Sequence, residues 1–253
     1  MLESWLSISS VLTRHAALQV ALSGRLPGVN GDPSRGIFET ALVRDGAPVM
    51  WSAHLARLRA SARVLYGADP GPSLDVHAAD AVALGRLRVE VVPAGDSFTV
   101  AARCEPIDPA IVLPEAEPEV VPVPVSAGFG PHKLIDRGWL EAIESSVPAG
   151  ARALLVAPGG ELLETTRANV FVVREGALAT PPLDGRILPG ITRAVVLQRA
   201  RAAGFPVHET PVTLEGADAI LLTGSVRLLE FRRLRRDARS DAILDTLRKA
   251  MVD

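Results

Sequence analysis

Prolines punctuate one stretch of this 253-residue chain densely enough to divide it. Pro109, Pro114, Pro118, Pro122, Pro124 and Pro131 fall within residues 106–131. Each lacks an amide donor and fixes φ, which rules out a helix here and disfavours a central strand. Val120, Val121, Val123 and Val125 keep only the character of an extended edge segment. The pattern predicts a smaller N-terminal unit over 1–118, a linker over 119–130 and a larger C-terminal unit over 131–253.

Both flanks mix hairpin signals with helical periodicity. Residues 2–23 read as an amphipathic helix ended by Gly24 and Pro27, followed by a loop over 27–36. A strand is expected at 37–43, a turn at Asp45-Gly46 and a return strand at 48–51. Ser52 is placed to cap a helix reaching Tyr66, whose Leu55, Leu58, Ala62 and Leu65 recur at spacings of three and four. A helix over 74–84 and a hairpin of 88–92 with 97–104 follow. Past the prolines the pattern predicts a helix at 136–146, strands at 152–157, 161–165, 169–174 and 177–180, and a helix at 192–203. Strands near 206–211 and 218–223 and a helix at 241–251 complete it. Such a mixture in both halves predicts two α+β domains with a cleft between them, a common place for a ligand.

The net charge of −2 gives no electrostatic reason for a nucleic-acid partner. Glu3 and Arg14 interrupt the apolar N-terminus, so a signal peptide, a membrane span and a membrane partner are not expected, and a cytoplasmic protein is. Cys104, the single cysteine, reads as a buried small hydrophobe, and no metal site is expected. Arg227, Arg232, Arg233, Arg235, Arg236 and Arg239 form a basic cluster that reads as a solvated face or subunit contact.

Lysine is nearly absent. Lys133 and Lys249 are the only two among 27 basic residues. Lys249 lies four residues from the end and reads as solvated. Lys133 stands inside the chain, in Gly130-Pro131-His132-Lys133-Leu134-Ile135-Asp136-Arg137. A guanidinium stays protonated and cannot attack a carbonyl, whereas an amine whose surroundings lower its pKa can form a Schiff base. From counting alone, Lys133 is equally readable as a survivor of a bias toward arginine.

Four segments give it a context. Phe38-Glu39-Thr40 precedes His54-Leu55-Ala56-Arg57-Leu58; His132-Lys133 precedes Asp136-Arg137. Glu164-Thr165-Thr166-Arg167-Ala168-Asn169 comes about thirty residues later, then Leu188-Pro189-Gly190-Ile191-Thr192. In order and spacing they resemble the class IV, fold type IV, pyridoxal-phosphate enzymes. That group contains branched-chain and D-amino-acid aminotransferases and 4-amino-4-deoxychorismate lyases.

The resemblance implies a two-domain α+β fold with pyridoxal 5′-phosphate in the interdomain cleft. It implies that Lys133 holds the cofactor and then shuttles a proton, and that Glu164 faces the pyridine nitrogen. The phosphate would lie on Gly190, Ile191 and Thr192 at a helix start, on Gly224 and Ser225 of a second turn, and against Arg57. Asn169 reads as structural. A homodimer is implied, because the family's sites usually lie close to the subunit interface.

Within the group the chain resembles the lyases more. The transaminases carry a tyrosine five residues after the lysine, where this chain has Gly138, and the single tyrosine, Tyr66, sits in a helix expected to face the core. Asp136-Arg137 resembles the lyases' Lys-x-x-Asn-Arg pattern, and Thr40 falls where they carry a functional threonine. The implied small-molecule amine is 4-amino-4-deoxychorismate. Lys133 would take the proton from its amine-bearing carbon, with protonation of the departing enol by Lys133 or through Thr40. The products are 4-aminobenzoate, a folate precursor, and pyruvate. A class IV aminotransferase acting on a branched-chain, D-amino or other amino acid is the alternative; a non-catalytic binding subunit is a third reading. The ending Leu228-Leu229-Glu230-Phe231-Arg232-Arg233 departs from the family, and no residue for the substrate carboxylates is identifiable.

Overall fold

The computed structural model describes residues 31–71 and 82–251. The helix expected at 2–23 and most of that expected at 74–84 lie outside these residues; Leu84 itself opens a strand.

The first sheet has four strands, in the order β2-β1-β3-β4: β1 (Ile37–Arg44), β2 (Ala47–Pro48), β3 (Leu84–Ala94) and β4 (Ser97–Pro106). Asp45 and Gly46, both at positive φ, make the β1–β2 turn as expected. The return strand is only two residues long, because helix α1 (Trp51–Tyr66) begins at once. Ser52 is not its cap: Met50 holds the N-cap position in a left-handed conformation with no side-chain bond. Leu55, Leu58 and Ala62 of α1 bury against Ile37, Val43, Leu87, Val89 and Val91, burial worth about 2 kcal/mol for each large side chain. Cys104 is half-buried at the edge of that cluster.

Residues 120–124 do not act as a linker. They form β5 (Val120–Pro124), which pairs in parallel with β6 (Arg152–Val156) and ends the path of the second sheet. The edge position accommodates its prolines, as the valine pattern allowed. Helix α2 (Gly138–Glu144) is shorter than expected and leaves Asp136 and Arg137 outside it. The second sheet continues through β7 (Leu162–Thr165), β8 (Asn169–Arg174), β9 (Ala177–Thr180) and β10 (Val207–Glu209). A branch of β11 (Ala219–Thr223) and β12 (Leu229–Arg233) attaches to β8.

Strand β12 is absent from the sequence reading. Its Glu230 looks solvated in the sequence but is 6% exposed, held by Arg152 at 2.7 and 3.1 Å. Helices α3 (Ile191–Ala202) and α4 (Ala238–Ala250) cover the face that carries Phe171, Val173 and Leu221, and Leu42 of β1 joins the same cluster. That shared core places the first sheet against the second.

Three of the six clustered arginines, Arg227, Arg233 and Arg235, form ion pairs among the described residues. Arg233 bonds Glu117 and Asp241, and Arg235 bonds Asp218. Lys249 is exposed. Among the described residues no helix is long and apolar enough to cross a membrane.

Candidate active site

Alternation along β1 sends Phe38 and Thr40 to one face and Ile37, Glu39 and Ala41 to the other. Glu39 therefore points toward α1, where it is 1% exposed. Two side chains three apart on that helix meet it. His54 Nδ1 lies 2.8 Å from Glu39 Oε2, and Arg57 donates through Nε at 2.6 Å and Nη2 at 2.8 Å. Burial raises the Glu39 pKa, but the charge of Arg57 and the bonds from His54 and Arg57 outweigh it and hold it at about 2. Arg57 also donates through Nη1 to the carbonyl of Pro189 at 2.8 Å, which joins α1 to the turn before α3.

Lys133 is fixed to β1 through its backbone. The Phe38 amide donates to the Lys133 carbonyl at 2.9 Å, and the Ile135 amide to the Gly36 carbonyl at 2.9 Å. Gly36 is required there: its φ is 100°, and a Cβ would lie 2.5 Å from the Val91 carbonyl oxygen. The Lys133 amine lies 4.9 Å from the centre of the Phe38 ring, and the residue as a whole is half-buried. Desolvation lowers its pKa to about 7; Glu39 opposes this, and Arg57, Arg137 and Arg88 add to it. An amine in that range is a competent nucleophile and proton carrier near neutral pH.

Glu164 is 3% exposed at the end of β7. Its carboxyl receives the Leu188 amide at 3.1 and 3.3 Å and the Asn169 amide at 3.2 Å. Burial raises its pKa to about 8 against the lowering effect of the Leu188 amide, Arg137, Arg57 and Lys133. Asn169 is structural, as expected: it bonds Glu164 and also the Leu188 carbonyl at 2.9 Å. It packs so close to Gly190 that a Cβ there would lie 1.8 Å from Asn169 Oδ1.

The two turns expected to hold a phosphate meet. The Thr192 hydroxyl donates to the Gly224 carbonyl at 2.9 Å. No side chain caps α3, so the amides after Gly190 carry no cap bond. Thr223, beside Gly224 and Ser225, is 2% exposed and its Oγ1 has no hydrogen-bond partner among the described residues. An orphan hydroxyl beside an uncapped helix start suits an anion that brings its own acceptors. An amine, a buried acid and this cradle fit the three functional ends of pyridoxal phosphate.

Arg57 is 9% exposed and already bound to Glu39 and Pro189, so it is not part of a solvated helix face. Thr40, half-buried, pairs with Arg88 across the β1–β3 ladder. An open, mainly apolar groove of about 470 Å³ between α1 and α3 touches Arg57, Gly190 and Ile191 but neither Lys133 nor Glu164. Sequence reasoning gave Glu39 and His54 no role. The available signal was an acid on the apolar side of a strand, followed by His and Arg three apart on one helix.

The family model for amino-transferase class IV matches residues 36–232, and the chain belongs to that family. A protein from Methanocaldococcus jannaschii provisionally named branched-chain-amino-acid aminotransferase is 38% identical over 89 residues. That match covers 34% of this chain and 31% of that protein, so the aligned segment spans under a third of the relative's length. Among solved structures, a hypothetical aminotransferase from Mycobacterium tuberculosis in its apo form has a TM-score of 0.76 at 22% identity, covering 90% of this chain and 94% of that one. A Legionella pneumophila protein provisionally named 4-amino-4-deoxychorismate lyase has a TM-score of 0.73 at 22% identity, covering 89% and 96%. At such identities the structures speak for the fold, which is the two-domain α+β fold of the class.

Proposed function

We propose that this chain is a pyridoxal-phosphate lyase that converts 4-amino-4-deoxychorismate to 4-aminobenzoate and pyruvate. The observation that carries the cofactor reading is an amine with pKa near 7, Lys133, whose charge acts on a buried carboxyl with pKa near 8, Glu164. Pyridoxal phosphate, when bound, supplies an aldehyde that captures amines and a ring that accepts electrons. Lys133 takes the proton from the amine-bearing carbon of the substrate and returns protons at Nζ. Glu164 keeps a proton within reach of the ring nitrogen. Arg57, Thr192 and the amides following Gly190 and Gly224 hold the phosphate.

Three features support the lyase over a transaminase. Gly138 stands where the transaminases have a tyrosine. Tyr66 gives its hydroxyl to the Pro33 carbonyl at 2.8 Å and packs on Phe98. Thr40, on the Phe38 face of β1, would relay a proton in this reading. A transaminase is the second reading, favoured by the partial match to the Methanocaldococcus protein. Purified protein given 4-amino-4-deoxychorismate is expected to release pyruvate with no amino acceptor present. Strict dependence on an α-keto acid would establish the transaminase instead. A homodimer belongs to this proposal and is tested by sedimentation.

A further inference from the structure

Arg137 is half-buried, and no carboxylate is in contact with it among the described residues. Its Nη2 donates to the Thr166 carbonyl at 2.8 Å, while Nε and Nη1 have no partner among the described residues. No carboxylate lies within ion-pair distance of it among those residues. The more deeply buried arginines Arg57 and Arg193 do have one, Glu39 and Glu209. Burial lowers the Arg137 pKa to about 10; Arg167 and Arg88 deepen the effect, and Glu144 and Glu164, neither in ion-pair contact, oppose it. A half-desolvated cation without a counter-ion is costly to keep in a folded chain.

Its position says what the cost is for. The Arg137 guanidinium carbon lies 5.5 Å from the centre of the Phe38 ring, the Lys133 amine 4.9 Å from the same centre, and Arg88 3.7 Å. Three cations ring one aromatic side chain, and among the described residues only Arg88 has an acid in ion-pair contact, Glu90 at 2.5 Å. Arg137 makes no bond to Arg57, Gly190 or Gly224, so it stands apart from the phosphate cradle. Its unused Nε and Nη1 groups belong to the planar donor fork that matches a carboxylate.

We propose that Arg137 is a substrate-binding residue that takes a carboxylate of the amine processed at Lys133. The proposal rests on the Lys133 reading but not on the choice of lyase. It marks the substrate as an anion and supplies the carboxylate partner that the sequence alone did not reveal.

The test is calorimetry on the cofactor-loaded protein with 4-aminobenzoate, 2-oxoglutarate and the neutral 4-aminobenzamide. Wild type is compared with Arg137→Met and Arg137→Lys, each first shown to retain cofactor absorbance. Whichever carboxylate binds wild type is expected to bind Arg137→Met at least about thirty-fold more weakly, with Arg137→Lys between the two. Affinity for 4-aminobenzamide is expected to be the same in all three. A loss confined to 2-oxoglutarate would keep the role of Arg137 and count against the lyase. Carboxylate affinities within about two-fold of wild type in both variants would overturn the proposal, as would a wild type that binds neither carboxylate.

Discussion

Glu39 and Arg57 are joined by two hydrogen bonds, 2.6 and 2.8 Å long, across the interface between a strand and the helix that covers it. The pair is nearly dry, at 1% and 9% exposure, and His54 adds a third contact to the same carboxylate. The same guanidinium reaches Pro189, just ahead of the proposed phosphate cradle. One acid thus sets the position of the residue proposed to hold the cofactor's phosphate.

Glu39→Gln should therefore act on both stability and cofactor affinity. Removing one partner of a buried ion pair leaves the other charge uncompensated, at a cost of about 3–5 kcal/mol. Urea unfolding of the apoprotein measures the first effect, and titration with pyridoxal phosphate the second. Unchanged affinity would show that Arg57 does not need Glu39 to reach the phosphate.

Glu164 sets a pH dependence of known sign. Its pKa is raised from 4.5 to about 8, so the folded chain binds more protons than the unfolded one between those values. Its contribution to stability is fully present below the lower value and is lost as pH rises through the upper one. Glu164→Gln should flatten the fall in apoprotein stability across that window. Lys133 works oppositely: with its pKa lowered from 10.5 to about 7, it adds stability as pH climbs between those values. Urea midpoints of wild type, Glu164→Gln and Lys133→Met across pH separate the two contributions.

Gly190→Ala should damage the cradle from the inside. The added methyl would lie 1.8 Å from Asn169 Oδ1, so Asn169 or the turn must move, and overpacking of this kind costs about 1–3 kcal/mol. Asn169 also holds Glu164 and Leu188, so the displacement should reach the acid. The expected readings are a lower unfolding midpoint and weaker cofactor uptake.

Thr192→Val keeps the shape and removes the bond to Gly224. Loss of one such bond is worth about 1 kcal/mol. Apoprotein affinity for inorganic phosphate should fall, while binding of pyridoxal without its phosphate should not change.

The motif residues were legible in the sequence because their types are dictated by chemistry: an amine at 133, an acid at 164, and a glycine with a threonine at a helix start. The sheets were legible where apolar alternation was clean, as in 37–43 and 169–174. Part of what was lost has one cause, which is that polar residues buried by partners look solvated in a sequence. Glu230 concealed β12 until Arg152 was found beside it, and Glu39 looked like one more strand residue until α1 brought His54 and Arg57 against it. Arg137 was visible as part of a pattern, but that no carboxylate among the described residues touches it is a fact of three dimensions. The valines at 120–125 suggested an edge strand, yet the prolines around them drew the linker boundary across β5.

The central claim is that Lys133 is the residue that takes pyridoxal phosphate covalently. Protein loaded with the cofactor, reduced with borohydride, digested and mass-mapped should carry the added mass on Lys133 alone, and Lys133→Ala should stay colourless and unlabelled. Label on Lys249, or none on a wild type exposed to excess cofactor, would contradict the account.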